Sequence, residues 1–364
     1  MDLKSPNLVY EQLDTYETLF STELPKILKH SPVFGNDPTL RHLQTVYVIG
    51  DGDSLYAAIA VEYAFRHISG VEYIPVPAFE FTQYSLQGFT AEKARRSILI
   101  GVSASGGSPF VVDAMQKYRA AFPDCPVVSI CGKVGGEIEK NANKIFSVQL
   151  NELGRTPGIR TYSASMVGLL AIACEIAEAR GFNGSITRKE LEDYIVSSAV
   201  GVRKTIIEAD EKTKDILNLF DGSFITFVGS GPSHGTALFE AAKIVETSGI
   251  YAYGQDLEEW NHVEGFAYPV ESMLVIHPNI GQAFKRAENL AKSAQELGHK
   301  IVLVAHENHA KEIPNDCILT VYGPYNDFLS PLSAFIPFTF LSAKLAEKLG
   351  RAMFHTDTDI WGRL

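Results

Sequence analysis

The chain has 364 residues, of which 46% are hydrophobic and 21% are charged. This length exceeds the usual single-domain range and predicts two domains of similar size, with a composition typical of folded proteins. The formal charge of −11 argues against nucleic-acid binding, which favours a basic face. The longest nearly uninterrupted apolar stretch, 166–174, is too short to cross a bilayer, and the N-terminus resembles no targeting peptide. We therefore expect a cytoplasmic protein without a membrane partner.

The cysteines and histidines give no sign of a metal or disulfide framework. Four cysteines lie on or near apolar runs without C-x-x-C spacing, which favours buried thiols. His306 and His309 flank Glu307 at a spacing close to that of metal ligands, but no further ligand lies near them in the sequence. We expect neither a metal nor an organic cofactor.

After an N-terminal helical segment, the first half contains a loop rich in serine and glycine. An apolar strand near residue 100 runs into Ser103, Ser105 and Ser108, with two glycines between them. Hydroxyls, backbone N–H groups and a helix N-terminus at such a turn suit one anion. The spacing matches neither the Walker loop nor the dinucleotide glycine pattern. An ordinary turn with a serine N-cap fits the same residues.

The chain also repeats itself. Gly50, Gly52 and Ser54 recur 179 positions later as Gly229, Gly231 and Ser233, each set ending an apolar strand. The apolar strands 97–100 and 127–130 recur at 272–275 and 301–304, and helical patterns cover 109–120 and 281–297. Alternating strands and helices predict an α/β fold with two doubly wound parallel-sheet subdomains of three α/β/α layers. Ligands bind such sheets at the carboxyl ends of the strands, where Ser54 and the 103–108 loop lie.

The repeat also sets the expected domains. These are a helical segment at 1–45, a first repeat at 46–182, a connecting helix at 183–222, a second repeat at 223–340 and a tail at 341–364.

The duplicated strand–loop–helix unit with a Ser-x-Ser-Gly cradle resembles the double sugar isomerase (SIS) family over roughly residues 40–360. Members include the isomerase half of glucosamine-6-phosphate synthase and the fructosamine-6-phosphate deglycases. The resemblance implies a sugar phosphate held by Ser54, Ser103, Ser105 and Ser108 and by the backbone of Ala104. Gly52 and Asp53, beside Ser54, are further substrate-binding candidates.

The family's reactive residues have counterparts in the second repeat. Its glutamate lies sixteen residues before a loop histidine and three after a lysine, the spacing of Glu246, His262 and Lys243 here. Glu259 falls on the loop's own glutamate. The family's flanking glycines and proline are absent from this loop. The resemblance also implies a dimer or larger assembly with shared active sites, for which Trp260 offers an apolar anchor.

These residue types suit proton transfer at C1 and C2 of an open-chain sugar. A carboxylate, Glu246, would act as base, an imidazole, His262, would move protons at the ring oxygen, and Lys243 would steady an enediolate. Alternatively, Lys243 and Glu246 form an exposed helix pair worth about 0.2–0.5 kcal/mol, and His262 caps a turn.

Within the first repeat, this chain has arginines in a region where the synthase has an acidic residue. Arg155 and Arg160 either recognise an acidic appendage of the substrate or are surface arginines.

The resemblance implies an enzyme, foremost a deglycase that cleaves a fructosamine or amino-sugar phosphate into a sugar phosphate and an amine. A phosphosugar isomerase, a hexosamine-phosphate deaminase and a non-catalytic sugar-phosphate sensor are the alternatives. We expect no glutaminase activity, because no N-terminal cysteine or glutaminase segment precedes the repeats, and the tail lacks the synthase's lysine.

Overall fold

The computed structural model describes residues 7–35, 37–151, 153, 156–281, 283–309 and 312–355. The strands in this part of the chain are β1 Thr45–Gly50, β2 Glu72–Pro77, β3 Ser97–Ser103, β4 Val127–Cys131, β5 Lys144–Ser147, β6 Ile225–Gly229, β7 Ala252–Asp256, β8 Met273–His277, β9 Ile301–His306 and β10 Cys317–Val321. The helices are α1 Asn7–Asp14, α2 Tyr16–Thr18, α3 Leu24–Leu28, α4 Asp53–Ala60, α5 Glu62–Ser69, α6 Ala78–Glu80, α7 Ala91–Arg95, α8 Pro109–Ala121, α9 Glu137–Lys140, α10 Ile159–Arg180, α11 Arg188–Leu219, α12 Pro232–Ser248, α13 Leu257–His262, α14 Phe284–Glu296 and α15 Ile336–Leu349.

The strands form two parallel five-stranded sheets, ordered β2-β1-β3-β4-β5 and β10-β9-β8-β6-β7. The two orders match when the second sheet is read in reverse, as β7-β6-β8-β9-β10. In each sheet the first strand of the repeat then lies between the second and the third. The predicted fold, two parallel α/β subdomains, is confirmed. Central strands such as β3 and β8 are buried throughout, as expected where helices cover both faces of a parallel sheet.

Helices of the two repeats begin and end at equivalent positions of the sequence. Gly52 and Gly231 precede α4 and α12 with nearly the same left-handed backbone, φ of 50° and 54°. The helical region beginning at α4 ends at Gly70, and α12 ends at Gly249, 179 positions later and again with positive φ. Helices α8 and α14 are both 13 residues long and lie 175 positions apart.

The chain divides into two compact units that are not continuous in sequence. One comprises 21–151 and 160–196 and holds the first sheet; the other comprises 1–20, 152–159 and 197–364 and holds the second. Each sheet has its own apolar core, one including Ile49, Leu99 and Val127 and the other including Val228, Leu274 and Leu303.

Among the helices that the structure describes, α10 is long and apolar enough to cross a membrane. It covers 22 residues, longer than the apolar stretch seen in the sequence, and 89% of its apolar window is buried within the protein. The apolarity of α10 is therefore accounted for by core packing.

Candidate functional site

The loop that joins β3 to α8, residues 103–108, is the serine loop. Ser103 is buried and its Oγ accepts the N–H of Gly106 at 3.1 Å, while the Oγ of exposed Ser105 accepts the N–H of Gly107 at 3.3 Å. The two hydroxyl oxygens lie 3.5 Å apart. The serine loop thus gathers two of the predicted phosphate ligands at the carboxyl end of β3.

Gly106 lets the serine loop lie against the next loop of the sheet. Its φ is +71°, and a Cβ there would lie 2.7 Å from the Sγ of Cys131 and 3.0 Å from the Cα of Gly136. Any other residue would therefore strain the backbone and displace the β4–α9 connection.

A second loop, after β1, meets the serine loop through an acidic residue. The hydroxyl of Ser108 donates to Oδ2 of Asp51 at 2.5 Å. Gly52 and Asp53 follow, and half-buried Ser54 donates its N–H to the carbonyl of Asp51. In the described part of the chain, no hydrogen bond links Ser54 to the serine loop. Asp51 was not among the site residues predicted from the sequence, and it lies 57 residues from its partner.

In the second repeat, α12 holds the predicted lysine and glutamate together. Lys243 is fully buried, and its Nζ donates to Oε2 of Glu246 at 2.5 Å, whereas the Glu246 side chain keeps 28% of its surface exposed. The Nζ also lies 4.8 Å from the ring centre of Phe239. The alternative of an exposed helix pair is therefore wrong for Lys243, because a buried ammonium needs its partner far more than an exposed one does.

A buried acid–base pair, missed in the sequence, lies one turn before Lys243 on α12. Oε2 of Glu240 and Nε2 of His277, at the end of β8, are 2.5 Å apart, and both side chains are almost inaccessible. Burial raises the pKa of Glu240 to about 7, although the charge of His277 and its hydrogen bond act in the opposite direction.

The repeat itself shows how unusual these charges are. Glu240 and Lys243 stand 179 positions after Val61 and Ala64, and His277 stands 175 positions after Val102. The three residues of the first repeat are buried and apolar. A comparison of the two repeats, position by position in the sequence, could have identified Glu240 and His277.

His262 lies at the end of the short helix α13, and its side chain is 66% exposed. Its Nε2 lies 3.2 Å from Oε1 of Glu258, whose pKa is lowered by hydrogen bonds from Arg286. Among the described residues His262 pairs with Glu258, not with Glu246. Glu259 is exposed on the same helix.

Trp260 anchors α13 from inside the unit rather than from its surface. It is 2% exposed and packs edge-on against His299, with 5.2 Å between ring centres. The expectation that Trp260 offers an interface anchor is therefore wrong. The exposed apolar side chains follow His262 instead and are Val263, Phe266 and Tyr268.

The loop that corresponds to the serine loop in the second repeat is filled by the chain's own carboxylate. The N–H of Ile280, the counterpart of Ser105, donates to Oδ1 of Asp327 at 3.0 Å and to the hydroxyl of Tyr325 at 2.8 Å. Tyr325 in turn donates to Asp327. A Cβ at Gly281, the counterpart of Gly106, would collide with Oδ2 of Asp327.

Arg160 is a buried residue of α10 rather than a surface arginine. Its guanidinium donates to Oε2 of Glu23 at 2.7 Å and to the carbonyl of Asn151 at 2.8 Å. Two of its donors are thus bound within the unit. Arg155 lies outside the described residues.

Comparison with known proteins identifies the architecture. No family model matches the chain. A relative in sequence is the glutamine--fructose-6-phosphate aminotransferase (isomerizing) of Zymomonas mobilis, 20% identical over 314 residues, which are 85% of this chain and 50% of the relative. The C-terminal domain of the Francisella tularensis glucosamine-fructose-6-phosphate aminotransferase superimposes with a TM-score of 0.80 at 16% identity, over 95% of this chain and 96% of that one.

The chain has the double-SIS fold. The family resemblance drawn from the sequence is thereby confirmed. Tagatose-6-phosphate ketose/aldose isomerase of Escherichia coli has the same fold, with a TM-score of 0.74 at 14% identity and 95% coverage of both chains. The chain spans about half the length of the aminotransferases it matches in sequence.

Proposed function

We propose that this double-SIS protein is an enzyme that moves a proton between C1 and C2 of a phosphorylated sugar. The observation that carries the proposal is the Lys243–Glu246 pair, in which a fully buried ammonium holds a carboxylate that remains partly exposed. The first repeat has buried alanine at the position of Lys243, so the fold does not require a charge there. A buried charge that the fold does not need is a candidate for chemistry.

In this proposal, residues of the first repeat bind the phosphate and residues of the second repeat carry out the proton transfer. Hydroxyls of Ser54, Ser103, Ser105 and Ser108 and the backbone of Ala104 hold the phosphate. Glu246 removes the proton from one carbon of the open-chain sugar and returns it to the neighbouring carbon. Lys243 keeps Glu246 ionised and steadies the enediolate.

His262 serves the proton transfers at oxygen or nitrogen. An imidazole exposed at the end of α13 can open the ring by moving a proton between O5 and O1, or protonate a leaving amine. Gly52, Asp53, Arg160 and Glu259 are secondary candidates for contact with the sugar.

Loss of an amine after the proton transfer, the deglycase reaction, is our preferred outcome. The Zymomonas relative is named for amino transfer to fructose 6-phosphate, and the Escherichia coli structure for ketose/aldose isomerisation. The second name favours simple isomerisation as the other candidate. A panel of 6-phosphorylated fructosamines, hexosamine phosphates and ketose phosphates separates the reactions, because a deglycase releases an amine, a deaminase ammonia, and an isomerase neither.

We also propose a homodimer or larger assembly in which active sites are shared. The support is the run of exposed apolar side chains that follows His262: Val263, Phe266 and Tyr268 are 60%, 81% and 96% exposed. Such side chains are typical of surfaces that another chain covers.

Replacing Glu246 tests the proposed chemistry. Glu246→Gln should keep the fold, because the amide oxygen can still accept the hydrogen bond from Lys243. It should also keep the affinity for the sugar phosphate, but slow exchange of solvent deuterium into C1 or C2 by about 10²–10⁴. The matched control is Glu137→Gln, which breaks an exposed Glu137–Lys140 pair of the same spacing and 2.5 Å length. The control should exchange at the wild-type rate. Wild-type exchange in Glu246→Gln would show that Glu246 is structural.

A further inference from the structure

An acidic side chain lies at the proposed phosphate site. Asp51 is half-buried at the end of β1, and its Oδ2 accepts the hydroxyl of Ser108 at 2.5 Å. Among the described residues no lysine, arginine or histidine forms an ion pair with Asp51. A carboxylate without a cation is an unfavourable neighbour for a phosphate dianion.

The geometry brings any ligand of Ser108 near this carboxylate. An oxygen that hydrogen-bonds to Ser108 lies about 2.8 Å from its Oγ. That oxygen is then within about 5 Å of Oδ2 of Asp51. At this distance, repulsion of a second negative charge is substantial in a partly buried loop.

In the described ranges, the other ionisable side chains around the loop form no ion pair with Asp51. Asp113 and Lys117 of α8 pair with each other at 2.8 Å. The others on the surrounding elements are Asp53 at the start of α4, Glu80 on α6, which packs on α8, Lys133 on the connection after β4, and Glu139 on α9. Carboxylates outnumber the lysine in this set.

Hydrogen-bond chemistry offers a way to satisfy Asp51. An ionised carboxylate only accepts hydrogen bonds, and so does a phosphate dianion. A phosphate monoester that keeps one proton has a P–O–H group, which can donate to the carboxylate. A sulfate ester has the same shape but no proton to donate.

We propose that Asp51 makes the serine loop selective for the protonated, monoanionic form of a phosphate monoester, and against sulfate esters. This inference rests on the proposed function, since it assumes that the loop holds the phosphate. Asp51 acts as a specificity residue: its carboxylate accepts a hydrogen bond from the P–O–H group of the phosphate and disfavours an anion that has no proton to donate.

Calorimetric titration with fructose 6-phosphate and fructose 6-sulfate tests the proposal. The wild type should bind the phosphate and not the sulfate. A phosphate monoester loses its second proton near pH 6, so affinity should fall about twentyfold from pH 5.5 to 7.5. Asp51→Asn should bind the sulfate ester and lose this decline, because the amide can donate to an anion. Asp113→Asn, on the exposed face of α8, should behave as the wild type.

Two results overturn the proposal, and they are distinguishable from failure of the proposed function. Equal binding of phosphate and sulfate by the wild type, or affinity that rises with pH, removes the role of Asp51. If no variant binds fructose 6-phosphate at either pH, the loop is not a phosphate site and the proposed function falls with it. Asp51→Ser provides a second neutral variant should Asp51→Asn fold poorly, and the same change of selectivity is expected.

Discussion

The two repeats start and end their helices at equivalent positions, yet they differ in what occupies the loop after the third strand. In the first repeat the serine loop leaves the hydroxyl of Ser105 exposed. In the second, Asp327 accepts the N–H of Ile280 and packs on Gly281. The carboxylate of Asp51 bonds the hydroxyl of Ser108 at the end of the first loop, whereas the carboxylate of Asp327 occupies the turn itself in the second. Under the proposed function, the same turn therefore serves binding in one unit and internal structure in the other.

The helical region after the first strand and the third strand of each repeat differ in the reverse sense. The first repeat buries Val61, Ala64 and Val102, whereas the second buries Glu240, Lys243 and His277 at the matching positions. Apolar residues of similar volume fill such sites at lower desolvation cost. The difference supports our proposal that the first repeat binds the phosphate and the second carries the reaction.

The largest effect is expected at the serine loop. Ser103→Ala with Ser105→Ala should weaken sugar-phosphate binding about a hundredfold or more, because each hydrogen bond to a charged group contributes roughly 1.5–3 kcal/mol. Titration calorimetry should find one site per wild-type chain and none in the double variant. Ser105→Ala alone, at the exposed position, should cost less and leave the loop backbone intact. A site that persists in the double variant would mean that the second loop also binds, and the contrast between the repeats would fail.

The sequence predicted the central strands of each sheet but not the edge strands. The apolar runs seen in the sequence correspond to β1, β3, β4, β6, β8 and β9, each of which has neighbours on both sides. The strands that were missed are the edges: β2, β5, β7 and β10. An edge strand is partly exposed, so its sequence is mixed; β2 contains Glu72, Pro75 and Pro77.

At the candidate site, spacing predicted residue types but not burial. Lys243 and Glu246 lie three residues apart, a spacing that fits a buried or an exposed helix face equally well, and only packing shows that Lys243 is buried. The Asp51–Ser108 bond joins two loops that become neighbours because β1 pairs with β3. Contacts of this kind depend on strand order, which local sequence patterns do not carry.

A smaller effect is expected when the second repeat is given the residues of the first. Glu240→Val with His277→Val should leave the free energy of unfolding within about 2 kcal/mol of the wild type, or raise it, because a buried pair replaced by apolar residues no longer pays desolvation. Either single substitution should cost more, since it strands one polar partner.

The raised pKa of Glu240 predicts how the stability of the wild type, relative to the double variant, changes with pH. Burial raises the pKa of Glu240 to about 7, so the folded protein keeps a proton that the unfolded chain releases from about pH 4.5 upwards. The stability contributed by this proton is complete below pH 4.5 and is lost as pH rises through 7. Urea unfolding at pH 5 and pH 7 should therefore show the wild type losing about 1–3 kcal/mol relative to the double variant. If the two proteins keep the same difference at both pH values, Glu240 does not titrate in this window, and the pair is not the ionisable counterpart of Val61 and Val102 that distinguishes the repeats.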